Sequence, residues 1–334
     1  MKQTCLAIAD LFIPAEMMAE GLQALEEAGI DVTVKQWHHN SLEELQQANL
    51  AIEQGGSEAV FLPDNLLEDI EHYDIIITQF APINRHVIEA ATKATLIGVL
   101  RGGTENVYLK KAQERGITVL NTPGRNARSV AEFTVGLLFA EMRNIARSHA
   151  AMQAGNWRKD FPNSATVPEL EGRTIGLVGF GHVGQLVGKF LQGFDARIVF
   201  FDPYFNGVTS FEQVDLNTLL HEADVVSLHG RLTEETAGMI GARELTQMKQ
   251  TAILINTARS GLVKEPDLIH ALQTNEIAGA AIDTFDQEPL EADSPFLKLD
   301  NVTVTSHMAG STADAFRNTP KKLAIRVLKW LNQA

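Results

Sequence analysis

Short apolar runs alternate with amphipathic stretches from the first residues onward, and the two periods predict strands and helices in turn. Runs at 5–9, 32–37, 75–78, 96–100 and 117–120 have strand length, while 15–28, 42–54, about 84–91 and about 105–115 carry apolar residues at helical spacing. Such alternation is the mark of an α/β unit on a parallel sheet. No period suggests a solenoid. Asn121-Thr122-Pro123-Gly124 then interrupts the pattern. A long apolar helix is predicted over about 129–154, followed by a second alternating run with strands near Ile175, Ile198, Val225, Ile253, Ala278 and Val302. The final helix, about 313–331, has no strand behind it and is expected to return to the first unit. The chain therefore reads as one α/β domain, 122–308, inserted into a smaller one made of 1–121 and 309–334. Two hinge crossings and an active-site cleft are expected at the junctions.

Gly179-Phe180-Gly181-His182-Val183-Gly184 falls between the strand-like 175–178 and the helix-like 185–192. In that setting the first glycine permits a tight turn, the second lets backbone approach a pyrophosphate, and the third lets helix lie close to strand. The first helical turn adds free N–H groups and positive potential. The next strand, 197–201, ends at Asp202, 18 residues past Gly184, where a carboxylate bonds ribose hydroxyls and repels a 2′-phosphate. A Rossmann dinucleotide-binding domain that takes NAD rather than NADP is expected. A tight turn without ligand, or a methyltransferase, would share the loop and the acid. The segments after the later strands separate these readings.

The 28 basic and 42 acidic residues leave a formal charge of −14, which disfavours nucleic acid and anionic membrane as partners. An anionic ligand then needs locally placed arginines, for which Arg101, Arg125, Arg128, Arg231 and Arg259 are candidates. Cys5 is the only cysteine, so an internal disulfide and a cysteine metal cluster are excluded. His38, His39, His72, His86 and His149 lack metal-ligand spacing, and no metal is expected. No apolar stretch approaches a membrane span, and a cytoplasmic location is expected.

Three segments follow predicted strands of the inserted domain, at the carboxyl ends where parallel sheets bind ligands. They are Asn256-Thr257-Ala258-Arg259-Ser260-Gly261, Asp283-Thr284-Phe285-Asp286-Gln287-Glu288-Pro289 and Ser306-His307-Met308-Ala309-Gly310. Arginine, glutamate and histidine in this order resemble the D-2-hydroxyacid dehydrogenases. The likeness extends over nearly the whole chain, through Val130-Ala131-Glu132-Phe133-Thr134-Val135-Gly136, Gly155-Asn156-Trp157 and Gly279-Ala280-Ala281-Ile282-Asp283.

The resemblance implies a smaller flavodoxin-like substrate domain and an NAD-dependent interconversion of a D-2-hydroxy acid and its 2-oxo acid. His307 would donate the proton, Arg259 would grip the carboxylate and polarise the carbonyl, and Glu288 would pair with the histidine and stabilise its charged form. Thr257, Ala258, Asp283, His307, His229 and Arg231 would lie against the cofactor beside the glycine loop and Asp202. Arg101, Gly102 and Gly103, at a loop expected to open a helix, would hold the substrate carboxylate. A two-fold homodimer paired through the long helix is also implied. Arg101 resembles the phosphate-facing arginine of phosphoglycerate dehydrogenases, although the loop that follows it is shorter here. A phosphoglycerate dehydrogenase-like enzyme is thus one alternative, and a nucleotide-sensing corepressor-like protein is another. Formate dehydrogenases are disfavoured because Glu288 stands where they pair histidine with glutamine. Arg231 replaces a usual proline, and a contact from it to a 2′-phosphate would favour NADP. Ser260 and Ser306 replace a usual glycine and proline.

Overall fold

The computed structural model describes residues 2–164 and 168–333. The chain divides into two compact units, Met1–Asn126 with Thr312–Ala334, and Ala127–Ser311.

The first unit runs β1 (Thr4–Ala9), α1 (Ala15–Glu27), β2 (Asp31–Gln36), α2 (Leu42–Gly55), α3 (Asp64–Leu67), β3 (Ile75–Thr78), α4 (Arg85–Ala90), β4 (Leu96–Val99), α5 (Leu109–Glu114) and β5 (Thr118–Asn121). Its five parallel strands take the order β2-β1-β3-β4-β5, the flavodoxin-like arrangement, with the order reversing between β1 and β3. Apolar clusters pack on both sheet faces, and β3 and β4 are accordingly buried throughout.

The second unit runs α6 (Ala127–Met142), α7 (Ile145–Gln153), β6 (Thr174–Val178), α8 (His182–Gln192), β7 (Arg197–Phe201), β8 (Glu212–Gln213), α9 (Leu216–Glu222), β9 (Val225–Leu228), α10 (Ala242–Gln247), β10 (Ile253–Asn256), α11 (Glu265–Gln273), β11 (Gly279–Ile282) and β12 (Val302–Val304). Its seven parallel strands take the order β12-β11-β10-β9-β6-β7-β8. The order reverses at β6, so the glycine loop leaves the sheet at a switch point. The last helix, α12 (Ala313–Leu331), belongs to the first unit and packs on α1. A Cβ at Gly21 would meet Pro320 at 2.5 Å, and one at Gly98 would meet Leu323 at 2.9 Å. Both glycines are therefore set by this contact.

Two predicted helices differ. The segment 104–108 is not helical, and α5 begins only at Leu109. Asn106 is the reason. Its buried side chain donates to the Ala81 and Gln79 carbonyls, and its own carbonyl accepts from Ile83 N at 2.7 Å, which commits this backbone to bridging the 79–83 loop. The long helix is broken as well, at Asn144, whose φ is +56°. The break serves a buried ion pair: Arg147 Nη2 donates to both Glu141 carboxylate oxygens at 2.6 and 2.7 Å, and Nη1 to Asn144 Oδ1 at 3.0 Å. Thr303 Oγ1 donates to Glu141 at 2.7 Å. A continuous helix would close off this arrangement.

A buried pair that loses one partner leaves an uncompensated charge at a cost of about 3–5 kcal/mol. Arg147→Met should therefore lower the unfolding free energy by that amount in urea, and adding Glu141→Gln should restore part of it. Unchanged stability in Arg147→Met would show that the pair does not hold this end of the unit.

Candidate active site

The glycine loop has the shape a dinucleotide needs. Gly179 has φ +92°, and a Cβ there would lie 2.5 Å from Gly230 N. A Cβ at Gly184 would collide with the Gly179 carbonyl, whereas one at Gly181 would enter open space. Open space at the N-cap of α8, where no side chain caps the helix, suits a pyrophosphate received by the His182 and Val183 amides. Phe180 contributes no such group. Its ring is buried and stacks on Phe200 at 3.9 Å, and its N–H donates to Asp202 Oδ2 at 2.8 Å. Asp202 Oδ1 accepts from Tyr204 N at 2.9 Å, which leaves each oxygen a further lone pair for a ribose hydroxyl.

At the carboxyl end of β10, Asn256 shapes the next loop: its amide donates to the Arg259 carbonyl at 2.9 Å and its Oδ1 accepts from Ala258 N at 3.1 Å. Arg259 is exposed, its guanidinium donating only to the Ala258 carbonyl at 2.8 Å. Among the described residues it has no acidic partner. Thr257 is buried with its hydroxyl 2.7 Å from that of Thr134, so its side chain is committed to α6. His229, after β9, meets Ser227 Oγ at 3.0 Å through Nε2, and its buried Nδ1 has no partner. Burial pushes this imidazole down to about 3, so it is neutral at physiological pH. Arg231 is exposed and without an ion-pair partner among the described residues.

The loops after β11 and β12 come together. His307 Nδ1 lies 2.7 Å from Glu288 Oε2, while Glu288 Oε1 accepts from Phe285 N at 2.9 Å. This contact turns Nε2 away from the glutamate. His307 has φ +50°, the left-handed region that non-glycine residues rarely adopt. Asp283 holds it there. Its fully buried carboxylate accepts from Thr305 Oγ1 at 2.5 Å, Met308 N at 3.0 Å and Ala309 N at 2.9 Å. The Asp283 side chain thus anchors the histidine loop. Behind Glu288, burial pushes the Glu265 carboxyl up, and the charges of Asp286 and Glu288 add to the effect.

A protein-family model described as D-isomer specific 2-hydroxyacid dehydrogenase, NAD binding domain, matches residues 135–309. A glyoxylate reductase of Thermofilum pendens is 39% identical over 272 residues, covering 79% of this chain and 80% of that protein. A hydroxypyruvate reductase of Thermotoga maritima is 37% identical over 272 residues, covering 80% and 88%. The chain belongs to the D-isomer specific 2-hydroxyacid dehydrogenase family. The solved structure of D-lactate dehydrogenase with NAD+ from Lactobacillus jensenii superimposes with a TM-score of 0.75 at 26% identity over 98% of this chain and 97% of that one. This dehydrogenase is an NAD-dependent oxidoreductase that interconverts a D-2-hydroxy acid and its 2-oxo acid.

In the first unit of the dehydrogenase, Arg101 is not a free cation. Its guanidinium bonds Glu53, donates to Asn49 Oδ1 at 2.9 Å and lies 5.1 Å from the Phe80 ring centre. The Glu105 carboxylate lies against Gly103, where it would clash with any side chain. The loop 101–103 is pinned by Asn121, whose amide donates to the Gly102 carbonyl at 2.6 Å, and it opens no helix. Sequence reasoning gave no role to Asn256, Thr305 or Thr134. An asparagine closing a strand is an Asx-turn signal that could have been read for Asn256. The partners of the two threonines lie too far along the chain for any such signal.

If Asp283 anchors the loop and does not touch the cofactor, Asp283→Asn should lower kcat about tenfold or more, because misplacing the histidine costs positioning. The NADH dissociation constant should stay within about twofold. A large loss of NADH affinity with kcat retained would return Asp283 to the cofactor contacts.

Proposed function

We propose that His307 is the general acid for reduction of the 2-oxo acid and the general base for oxidation of the 2-hydroxy acid, with Glu288 orienting it. The observation that carries this reading is the 2.7 Å contact between His307 Nδ1 and Glu288 Oε2, which directs Nε2 outward from a loop fixed by Asp283. NAD, when bound, supplies or accepts the hydride. The backbone amides of His182 and Val183 hold its pyrophosphate, with Gly179, Gly181 and Gly184 making the approach possible. Asp202 bonds the ribose hydroxyls and excludes a 2′-phosphate. The backbone of Thr257, Ala258 and His229 completes the cofactor wall, and Arg231 lies toward a phosphate or ribose. Arg259, unpaired and carrying a planar set of donors, grips the substrate carboxylate and polarises the carbonyl on which negative charge develops. Gly102 and Gly103 assist through backbone N–H groups once the Glu105 side chain turns away.

Arg101 favours an unphosphorylated substrate over phosphohydroxypyruvate, since Glu53 and Asn49 already satisfy its guanidinium. The reading is therefore a reductase for small 2-oxo acids of the glyoxylate and hydroxypyruvate kind.

The enzyme works as a homodimer in the cytoplasm. Supporting the first, α7 buries none of its residues, and Ile145, Met152 and Trp157 are exposed, Trp157 to 78%. Supporting the second, the sole cysteine is a free thiol and no described helix is long and apolar enough to cross a membrane. Light scattering of protein from a cytosolic fraction should give twice 36.6 kDa at micromolar concentration. A mass of one chain, or protein found only outside that fraction, would refute the corresponding half.

The acid–base assignment is tested by pH. Reduction requires protonated His307, so its rate falls as pH rises, whereas oxidation requires the neutral ring and rises over the same range. Glu288→Gln, which loosens the orientation of the ring, should lower kcat about tenfold with the NADH dissociation constant within about twofold. His307→Ala should cost on the order of 10² to 10⁴ in rate with less effect on NADH binding. Near-normal turnover in His307→Ala, or an unchanged kcat in Glu288→Gln, would refute the assignment.

A further inference from the structure

In the larger unit the loops on either side of the glycine loop are tied to each other. β6 lies between β9 and β7 in the sheet, so the glycine loop leaves it with the loops 229–241 and 202–211 as neighbours. β7 and β9 are two strand spacings apart, about 10 Å. Tyr204 bridges the two loops: its hydroxyl donates to Glu235 Oε2 at 2.7 Å. Both residues are exposed, Tyr204 to 75%. An exposed bond of this kind adds little to folding, because water competes for donor and acceptor alike. Its place, outside the carboxyl end of β6 where the strand order reverses, is the crevice through which a dinucleotide passes.

Each end of the bridge is fixed by its own loop. Tyr204 N donates to Asp202 Oδ1 at 2.9 Å, and the next ring, Phe205, packs edge-on against Phe180 and Phe200 at 5.1 and 5.2 Å between centres. On the other side Thr236 Oγ1 donates to the Arg231 carbonyl at 2.6 Å and accepts from Thr233 N at 2.8 Å, which folds 231–236 back on itself with Glu235 on the turn. The two loops hold three acids, Asp202, Glu234 and Glu235, against one cation, Arg231. Glu235 alone of the second loop's charges is bonded across to the Asp202 side, and among the described residues it has no cationic partner. The Glu235 hydrogen bond and charge push the Tyr204 hydroxyl up, with lost hydration and the Asp202 charge adding to the effect, so the donor keeps its proton at physiological pH. Asp202 and Glu235 thus act on one hydroxyl from two sides of the crevice. A ribose 2′-phosphate brought to Asp202 would carry close to two negative charges into the same place.

We propose that Glu235, held across the crevice by Tyr204, is a second cofactor-selecting residue, whose carboxylate stands with that of Asp202 around the ribose 2′ position and excludes a 2′-phosphate. This rests on the reading above that Asp202 bonds the ribose, and deepens it.

Dissociation constants for NADH and NADPH are measured by fluorescence with no 2-oxo acid present, so that the readout is binding rather than turnover. The unaltered protein should bind NADH more tightly. Glu235→Gln keeps an acceptor for the Tyr204 hydroxyl and removes the charge. It should shift the affinity ratio toward NADPH about fivefold, the effect of one charge on a doubly charged phosphate roughly 8 Å away in water. Tyr204→Phe, which releases the carboxylate, should shift the ratio the same way by less. The gain in Glu235→Gln should shrink at about 1 M NaCl, where charges are screened beyond about 3 Å. 5′-AMP and adenosine 2′,5′-bisphosphate should show the same change, since both carry the adenosine half alone. An unchanged ratio in Glu235→Gln, equal losses for both cofactors, or a gain undiminished by salt overturns the proposal and leaves the bridge as a contact between loops. A preference for NADPH in the unaltered protein also overturns it and gives the 2′ position to Arg231. Asp202→Ser separates the two readings. If its ratio is unchanged while that of Glu235→Gln shifts, the Asp202 reading fails and Glu235 selects alone; the reverse result keeps Asp202 and removes Glu235.

Discussion

The position of His307 depends on one buried carboxylate. Taking Asp283 out of water costs several kcal/mol unless its oxygens are bonded, and the hydroxyl of Thr305 with the amides of Met308 and Ala309 supply what is needed. Hydrogen bonds to a charged group contribute about 1.5–3 kcal/mol each, so the three together outweigh the roughly 1–3 kcal/mol that a left-handed residue costs. The loop therefore stays closed around the acid, and His307, between the residues it binds, is held at φ +50°. From there its Nδ1 reaches Glu288, whose other oxygen is fixed by Phe285 N. The chain of constraint runs from a packed strand end to the His307 ring, with each step set by a hydrogen bond.

The same device recurs at other strand ends. Asp10 after β1 accepts the amides of Phe12 and Ile13, and Asp202 after β7 accepts those of Phe180 and Tyr204. An acid at the carboxyl end of a parallel strand can thus bind a ligand or anchor the loop that surrounds one. What separates the cases is the remaining acceptor capacity and burial. Asp202 is half-buried with lone pairs to spare, whereas Asp283 and Asp10 are closed off from solvent.

Much of the fold was legible because its signals are local. The alternation of apolar runs gave both parallel sheets, and the last helix was expected over the residues it occupies, 313–331. The glycine loop was read from its spacing between a strand-like and a helix-like run, since each glycine answers a backbone demand within a few residues. The misreadings share the opposite property. Asn144 breaks a helix whose apolar pattern continues, because Glu141 and Arg147 pair across the break and reach Thr303, which lies 162 residues from Glu141. Asn106 delays a helix to serve carbonyls 25 and 27 residues away. Phe180 stands in the glycine motif but belongs to the core, a distinction that no spacing rule contains.

The arginines show most plainly what tertiary structure adds to the functional reading. Sequence nominated five as anion contacts on the same footing, because a chain with a formal charge of −14 needs local cations to hold an acid. Folding gives them different fates. Arg101 is taken by Glu53, Arg128 pairs with Glu132 at 2.8 Å, and Arg125 is half-buried beside Asp10. Arg231 and Arg259 alone of the five are exposed without a carboxylate partner, and both follow strands of the larger sheet at the edge that carries the glycine loop. A guanidinium already neutralised offers an incoming anion little, while one held only by a neighbouring carbonyl keeps most of its charge for the ligand. Pairing, not proximity to a motif, is what leaves the Arg259 guanidinium free for an anion.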